Sequence, residues 1–398
     1  MKNMHENRRE FLKKSAAFAA VSVAGLGACS KSGNQKTASN PAVKTAGANS
    51  NTKVAEWPIK VGENMPRLTV GIASDASVGE MRQLKQIGVD YVLMGGPPIP
   101  WTPESLRKIM DRFKAEGLTV INMMIGGHPH TIYGREGRDE EIKHIQDSLR
   151  AAGTVGLPVV EYNFYAHRLM EGYYREETRG GAGNTSFDYE KGKNLPTDPA
   201  LGTPQTAEML WANLTYFLKA VIPVAEKAGV RMALHPNDPP IPVSHGHAQI
   251  MATFKDWQRL LQIVDSPANG MTYDCGVTRE TGEDPLEVLR YLGSRDRINH
   301  IHYRNVTVEK PYVKYTEVFF DEGQVNMFAV MQEIFKLGYK YGIYPEHPRE
   351  INYDKEHPGG IKNQYPGGGG YAAQAYNVAY TKAMMQAVLS LKETGVSA

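Results

Sequence analysis

Cysteine is almost missing from this chain, with only Cys29 and Cys275 in 398 residues. Disulfide frameworks and thiolate-built zinc modules are thereby excluded, so stability must come from a buried apolar core. Net charge is also small, +2, and no basic run is interleaved with aromatic residues, so nucleic acid is not an expected partner. No apolar run reaches the roughly 20 residues that a bilayer-spanning helix needs. No glycine-rich phosphate loop follows the first strand-like segment. What remains is a 41% hydrophobic chain long enough for one large barrel or two smaller domains.

The first residues read as a targeting segment. Asn7-Arg8-Arg9-Glu10-Phe11-Leu12-Lys13 carries paired arginines, small and apolar residues run from 16 to 28, and the run closes at Leu26-Gly27-Ala28-Cys29. This pattern is similar to a twin-arginine signal joined to a bacterial lipoprotein cleavage box over residues 1–29, with an ordinary amphipathic helix as the alternative. The expected product is a periplasmic or cell-surface lipoprotein, lipidated at Cys29 and held to the membrane only by that anchor. The twin-arginine route suits a protein folded around its cofactor before export. Residues 30–63, rich in Ser, Asn, Thr, Lys, Ala and Gly, read as a flexible tether, and 64–398 carry the fold.

From there short apolar or β-branched runs alternate with segments of helical periodicity. The runs cover 68–73, 91–94, 119–125, 159–165, 231–234, 270–273, 298–303 and 342–344. Helical spacing covers 78–87, 103–116, 139–152, 206–228, 253–263, 285–292 and 326–337. Alternation of this kind means a parallel sheet, and eight apolar runs are the number that closes a (β/α)8 TIM barrel. A doubly wound open sheet is the competing architecture. Polar residues mark the ends of many strands rather than a single switch point, which favours the barrel. The stretches 170–203 and 352–370 are long for connections and are expected as lids over the C-terminal mouth.

Chemistry sits where four runs stop. Arg231-Met-Ala-Leu-His-Pro-Asn-Asp-Pro-Pro240 ends in His235 and in prolines that forbid further strand. Three later runs deliver Asp274, His302 and Glu346 in the same way. Two imidazoles and two carboxylates suit a divalent Mn, Fe, Co or Zn ion. One strand-end histidine alone would more often be a hydrogen-bonded core residue. His300 shares the parity of His302 and is expected one layer deeper. Arg304, on the same side, offers a cation either to a substrate carboxylate or to a carboxylate of the barrel. His128 is a substrate contact or a loop residue, and Cys275 a small buried apolar group.

These residues also carry a resemblance. His235-Pro-Asn-Asp-Pro-Pro240, Ala268-Asn-Gly-Met-Thr272, His302-Tyr-Arg-Asn305, Gly323-Gln-Val-Asn-Met327 and Tyr162-Asn163-Phe164 resemble motifs of the mannonate dehydratases, within the xylose isomerase-like barrel superfamily. The resemblance implies a divalent metal, Mn or Fe with Zn or Co as alternatives, and dehydration of a sugar acid such as D-mannonate to a 2-keto-3-deoxy acid. It points to His347 and Tyr371 as proton carriers and to Arg304, Asp188, Asn163 and His128 as substrate contacts. Asp274 stands where the family has a cysteine ligand, and Glu346 where it has an aspartate; Asp and Glu are the choice of the superfamily's isomerases and epimerases. A sugar isomerase or epimerase, a lyase acting on oxidised glycosides and a non-catalytic sugar-binding lipoprotein therefore remain as alternatives. The expected partner is a small sugar or sugar acid, and association of copies into a homo-oligomer is left open.

Overall fold

A computed structural model of the chain describes residues 61–62, 64–358 and 365–394. The segment read as an export signal, with Cys29, and nearly all of the tether lie outside them.

The strands in chain order are β1 Arg67–Gly71, β2 Tyr91–Gly95, β3 Thr119–Ile125, β4 Val159–Tyr162, β5 Tyr173–Glu177, β6 Gly183–Asp188 and β7 Arg231–Leu234. They continue with β8 Val243–Ser244, β9 His247–Ala248, β10 Asn269–Asp274, β11 Ile298–His302, β12 Asn305–Lys310, β13 Lys314–Val318 and β14 Gly342–Tyr344. Eight of them close a barrel in the order β1-β14-β11-β10-β7-β4-β3-β2. Neighbours around it pair in parallel. Both faces of these strands are covered, which is why they read as unbroken apolar runs rather than as alternation.

The helices between them start and stop where local chemistry dictates. Ser77 with Glu80, Thr102 with Ser105 and Thr253 with Asp256 form capping boxes that satisfy the first free N–H groups of three helices. Gly156 and Gly229 end the helices Arg138–Val155 and Ala207–Ala228 at φ of 76° and 70°, a left-handed turn that glycine takes without Cβ strain. The Ala207–Ala228 helix buries Leu210, Trp211, Leu214, Phe217, Leu218, Val221, Ile222 and Ala225, a stripe at three- and four-residue spacing against the barrel.

Two insertions meet over one end of the barrel. Strands β5 and β6, from the stretch after β4, pair with β12 and β13, from the connection after β11, in a four-stranded antiparallel sheet of order β12-β13-β6-β5. The sheet has its own small core of Leu169, Tyr173, Phe187, Ile241 and Tyr315. The stretch after β14 joins it, since Gly183 bridges to Glu350 and the Thr185 hydroxyl donates to the Pro366 carbonyl at 2.7 Å. The hairpin β12–β13 and the last helix, Tyr371–Thr394, are additions to the expected elements. Phe187 is fully buried between Tyr173 and Tyr315, with ring centroids at 4.9 and 5.2 Å. Phe187→Ala is expected to lower the unfolding free energy by about 3–5 kcal/mol in urea denaturation. A loss below about 1 kcal/mol would mean that this sheet melts separately from the barrel.

Candidate active site

The parallel strands of the barrel deliver their last residues to one end, and there a cavity of about 190 Å³ opens. His235 follows β7, Asp274 ends β10, His302 ends β11, and Glu346 stands two residues beyond β14. His302 is the meeting point. Its Nδ1 lies 3.0 Å from His235 Nε2, 3.1 Å from Glu346 Oε2 and 3.9 Å from Asp274 Oδ2. Its Nε2 is 3.5 Å from Glu161 Oε1. His300 lies one layer below, buried, with its ring edge-on to His302 at 5.1 Å.

Burial and charge pull these groups apart. Burial, aided by the neighbouring His302, lowers the His235 pKa to about 4, so its imidazole is neutral. Burial also opposes charge on His302, but Glu346 and Glu161 outweigh it and raise that pKa to about 9. Glu346 is held well below the usual carboxylate range: burial works the other way, and His302 and His347 overcome it. Asp274 is raised to about 6 by burial, against the attraction of Arg304.

Arg304 organises the acidic groups. It is 1% exposed. Its Nε lies 3.1 Å from both Asp274 Oδ2 and Glu346 Oε1, its Nη1 2.6 Å from Glu280 Oε1, and its Nη2 3.3 Å from Asp238 Oδ2. Room for the guanidinium exists because residue 276 is glycine, where a Cβ would stand 2.8 Å from Arg304 Cγ, Cζ and Nη1. The other oxygen of Asp274 accepts from the Val277 amide at 2.8 Å and caps the helix Cys275–Glu280.

His347 faces the same cavity from the connection after β14. Its backbone sits at φ 47°, an unusual region for a residue with a Cβ. Its Nδ1 is 2.8 Å from Glu317 Oε2, supplied by β13, and Glu317 is also 2.8 Å from Arg349 Nη2. Its Nε2 lies 3.5 Å from Glu346 Oε2. Burial lowers the His347 pKa, but Glu317 and Glu346 overcome this and leave it raised.

The donors fit a divalent metal. The carboxylates of Glu161, Asp238, Asp274, Glu280, Glu317 and Glu346 are all buried, and they outnumber the guanidinium groups of Arg168, Arg304 and Arg349. The raised pKa values of His302 and His347 let those imidazoles supply positive charge among these groups, and a divalent ion held by the same donors would supply it in their place. His302 Nε2 is buried without a hydrogen-bond partner, as an imidazole awaiting a ligand bond would be. Ligand atoms of Asp274, His302 and Glu346 lie within 4.8 Å of one another, and so do those of Glu161, His235 and His302.

The family model described as D-mannonate dehydratase (UxuA) matches residues 202–394, which include His235, Asp274, His302, Glu346 and His347. The mannonate dehydratase of Thermotoga petrophila is 30% identical over 318 residues, covering 70% of this chain and 88% of that protein. The chain belongs to the mannonate dehydratase family. The Streptococcus pneumoniae member is 30% identical over 279 residues, 63% of this chain and 75% of that one. The crystal structure of the mannonate dehydratase from Streptococcus suis serotype 2 superposes with a TM-score of 0.71 at 26% identity, covering 83% of this chain and 96% of that one. An L-ribulose 3-epimerase structure, at a TM-score of 0.51 and 14% identity, shares the barrel fold.

The site residues expected from the strand ends and from the family resemblance separate into two groups. His235, Asp274, His302 and Glu346 converge, and His347 and Asn163 line the cavity. Four expected contacts do not line it. The Tyr371 hydroxyl donates to the Gln83 carbonyl at 3.0 Å, against the helix Val78–Gln86, and cannot carry a substrate proton from there. Arg304 is saturated by carboxylates and has no fork to offer a substrate. Asp188 accepts from the Glu190 amide at 3.0 Å and caps a turn on the accessory sheet. His128 is a core residue, stacked on Phe217 at 5.6 Å with the rings 7° from parallel.

Sequence reading passed over Glu161, Arg168 and Tyr365. Glu161 sits in the middle of an apolar strand, 1% exposed, held by Asn122 Nδ2 at 2.9 Å and by the Thr272 hydroxyl at 2.7 Å. A lone acid inside Val159-Val-Glu-Tyr162 was the available signal, because an unpaired charge is rarely left in a barrel lumen. Glu161→Gln is expected to keep the fold and to weaken metal binding about 10–100-fold, read by chelator competition. Gly276→Ala should lower the unfolding free energy by about 1–3 kcal/mol in urea, because its methyl group lands on the Arg304 side chain.

Proposed function

We propose that the chain is a metal-assisted hydro-lyase that dehydrates D-mannonate, or a closely similar sugar acid, to a 2-keto-3-deoxy acid. The observation that carries this reading is the convergence of His235, Asp274, His302 and Glu346 beside His347 in one cavity, in a chain of this family. His235, His302 and Glu346 would hold a divalent ion, with Asp274 as the fourth donor, shared with Arg304. A bound ion supplies Lewis acidity, drawing electrons from a substrate oxygen and so acidifying the hydrogen next to the carboxylate.

The chain's own groups do the rest. His347 takes the proton from the carbon next to the carboxylate, its ring held by Glu317 at Nδ1 so that Nε2 meets the substrate. The electrons of that C–H bond form a carbon–carbon double bond as the hydroxyl on the next carbon leaves as water, taking up the proton that His347 has gained. The resulting enol then shifts its proton to give the 2-keto group. Tyr365, whose ring centroid is 5.0 Å from that of His347, lines the same wall and helps to exclude water from the proton transfer.

The mature protein loaded with Mn and given D-mannonate should produce a 2-keto acid. His302→Ala should lose both bound metal and product while keeping its far-ultraviolet circular dichroism. His347→Asn should keep the metal and lose about 10²–10⁴-fold in kcat. Bound metal with no 2-keto acid from any sugar acid would instead support the isomerase or epimerase reading, which the presence of Asp274 and Glu346 as donors favours.

The location follows the N-terminal segment. We propose export by the twin-arginine route and anchoring through Cys29. Cys29→Ser should move the protein from the membrane fraction to the soluble fraction; unchanged fractionation would remove the lipid from the picture.

A further inference from the structure

The family motifs and the metal donors say nothing about which group meets the charged end of a sugar acid, and Arg304 is not available for it. The cavity contains one other strong cation. Among its described lining residues Arg168 is the single lysine or arginine side chain, 30% exposed where Arg304 is 1%. It comes from the stretch between β4 and β5 and is fixed on one side only. Its Nε donates to the Asp238 backbone carbonyl, and its Nη2 lies 3.4 Å from Asp238 Oδ2. Asp238 is itself saturated, accepting from the Tyr173 hydroxyl at 2.7 Å and lying 3.3 Å from Arg304 Nη2. The Arg168 guanidinium lies over the Tyr365 ring, 5.2 Å from its centroid. Among the described residues no hydrogen bond is made by Nη1.

A guanidinium pinned along one edge and unengaged at the other presents its donors in a fixed direction, which is how arginine recognises a carboxylate. Its position suits the reaction. A carboxylate oxygen of Asp238 and a ring nitrogen of His347 lie within 4.8 Å of each other, so Arg168 and His347 border the same part of the cavity. We propose that Arg168 binds the carboxylate of the incoming sugar acid and so sets the preference for acids over neutral sugars, with His347 beside the adjoining carbon. The inference rests on the sugar-acid reading above and deepens it: the acid would be held at two adjoining points, its carboxylate by Arg168 and a neighbouring oxygen by the metal.

The test uses the metal-loaded mature protein and calorimetric binding of two acids, D-mannonate and D-gluconate, against their uncharged counterparts, D-mannitol and D-glucitol. The wild type should favour at least one acid over its alditol by on the order of tenfold or more. Arg168→Gln should remove most of that preference, leave alditol binding and metal content unchanged, and raise KM more than it lowers kcat. Should Arg168→Gln melt early or lose metal, Arg168→Lys carries the test. It keeps the charge against Asp238 but cannot offer two parallel N–H donors, so the preference must fall there too. A preference that survives these substitutions, or a wild type with no preference for either acid, overturns the proposal. Failure of the proposed reaction looks different: an Arg168-dependent preference for acids without turnover of D-mannonate would leave Arg168 in its role and remove the dehydratase.

Discussion

A buried guanidinium is what the mouth of this barrel is built around. Arg304 reaches Asp238 after β7, Asp274 at the end of β10, Glu280 in the following helix and Glu346 beyond β14, so one side chain ties together the ends of three strands. Taking such a group out of water is expensive, and the structure meets the cost with close ion pairs on every nitrogen. The consequence for the proposed chemistry is that the carboxylates that would hold a metal are aimed by contacts within the protein. A site prepared in this way spends little binding energy on ordering its ligands, and Gly276 is the small residue that makes room for the arrangement.

The donor set itself is harder than the family pattern. On the proposed reading, an aspartate in place of a thiolate and a glutamate in place of an aspartate would give an N/O site with no sulfur, a set that would suit Mn or Fe(II) better than zinc. The remaining cysteine, Cys275, points away from the donors and is buried, with its pKa raised to about 12 by burial and the neighbouring Asp274.

How far the sequence could be read depended on what each signal measures. The barrel strands were legible because burial on both faces leaves runs of apolar residues, and the helices because a stripe such as Leu210, Leu214, Phe217 and Val221 has only one structural meaning. The converging donors were legible because His235, Asp274, His302 and Glu346 each stand where an apolar run ends. Arg304 could be placed on the right face and offered to a carboxylate of the barrel, which is where it pairs, but not to its other partners: Glu280, 24 residues away, and Asp238, 66 away, come near it only in three dimensions. Tyr371 rested on the resemblance alone, and it opens the last helix, where its hydroxyl turns to the Gln83 carbonyl, whereas Arg168 gave no signal because a single arginine in a loop resembles any solvated one. The β12–β13 hairpin is marked by the alternation of Val306-Thr-Val308 and Tyr315-Thr-Glu-Val318 around Pro311, a weak signal because it follows β11 after only two residues.

That hairpin gives the accessory sheet a share in the chemistry. Glu317 lies opposite Thr185 in the pairing of β13 with β6, while Thr316 lies opposite Ser186. Side chains alternate between the faces of a strand, so a slip of one residue would turn Glu317 outward and present an uncharged neighbour to His347. The placement of the His347 ring is therefore set by hydrogen-bond register between two loops more than a hundred residues apart in sequence. Neither loop is free to change its length alone: an insertion of one residue in either would leave the barrel and the metal donors intact while orphaning the imidazole.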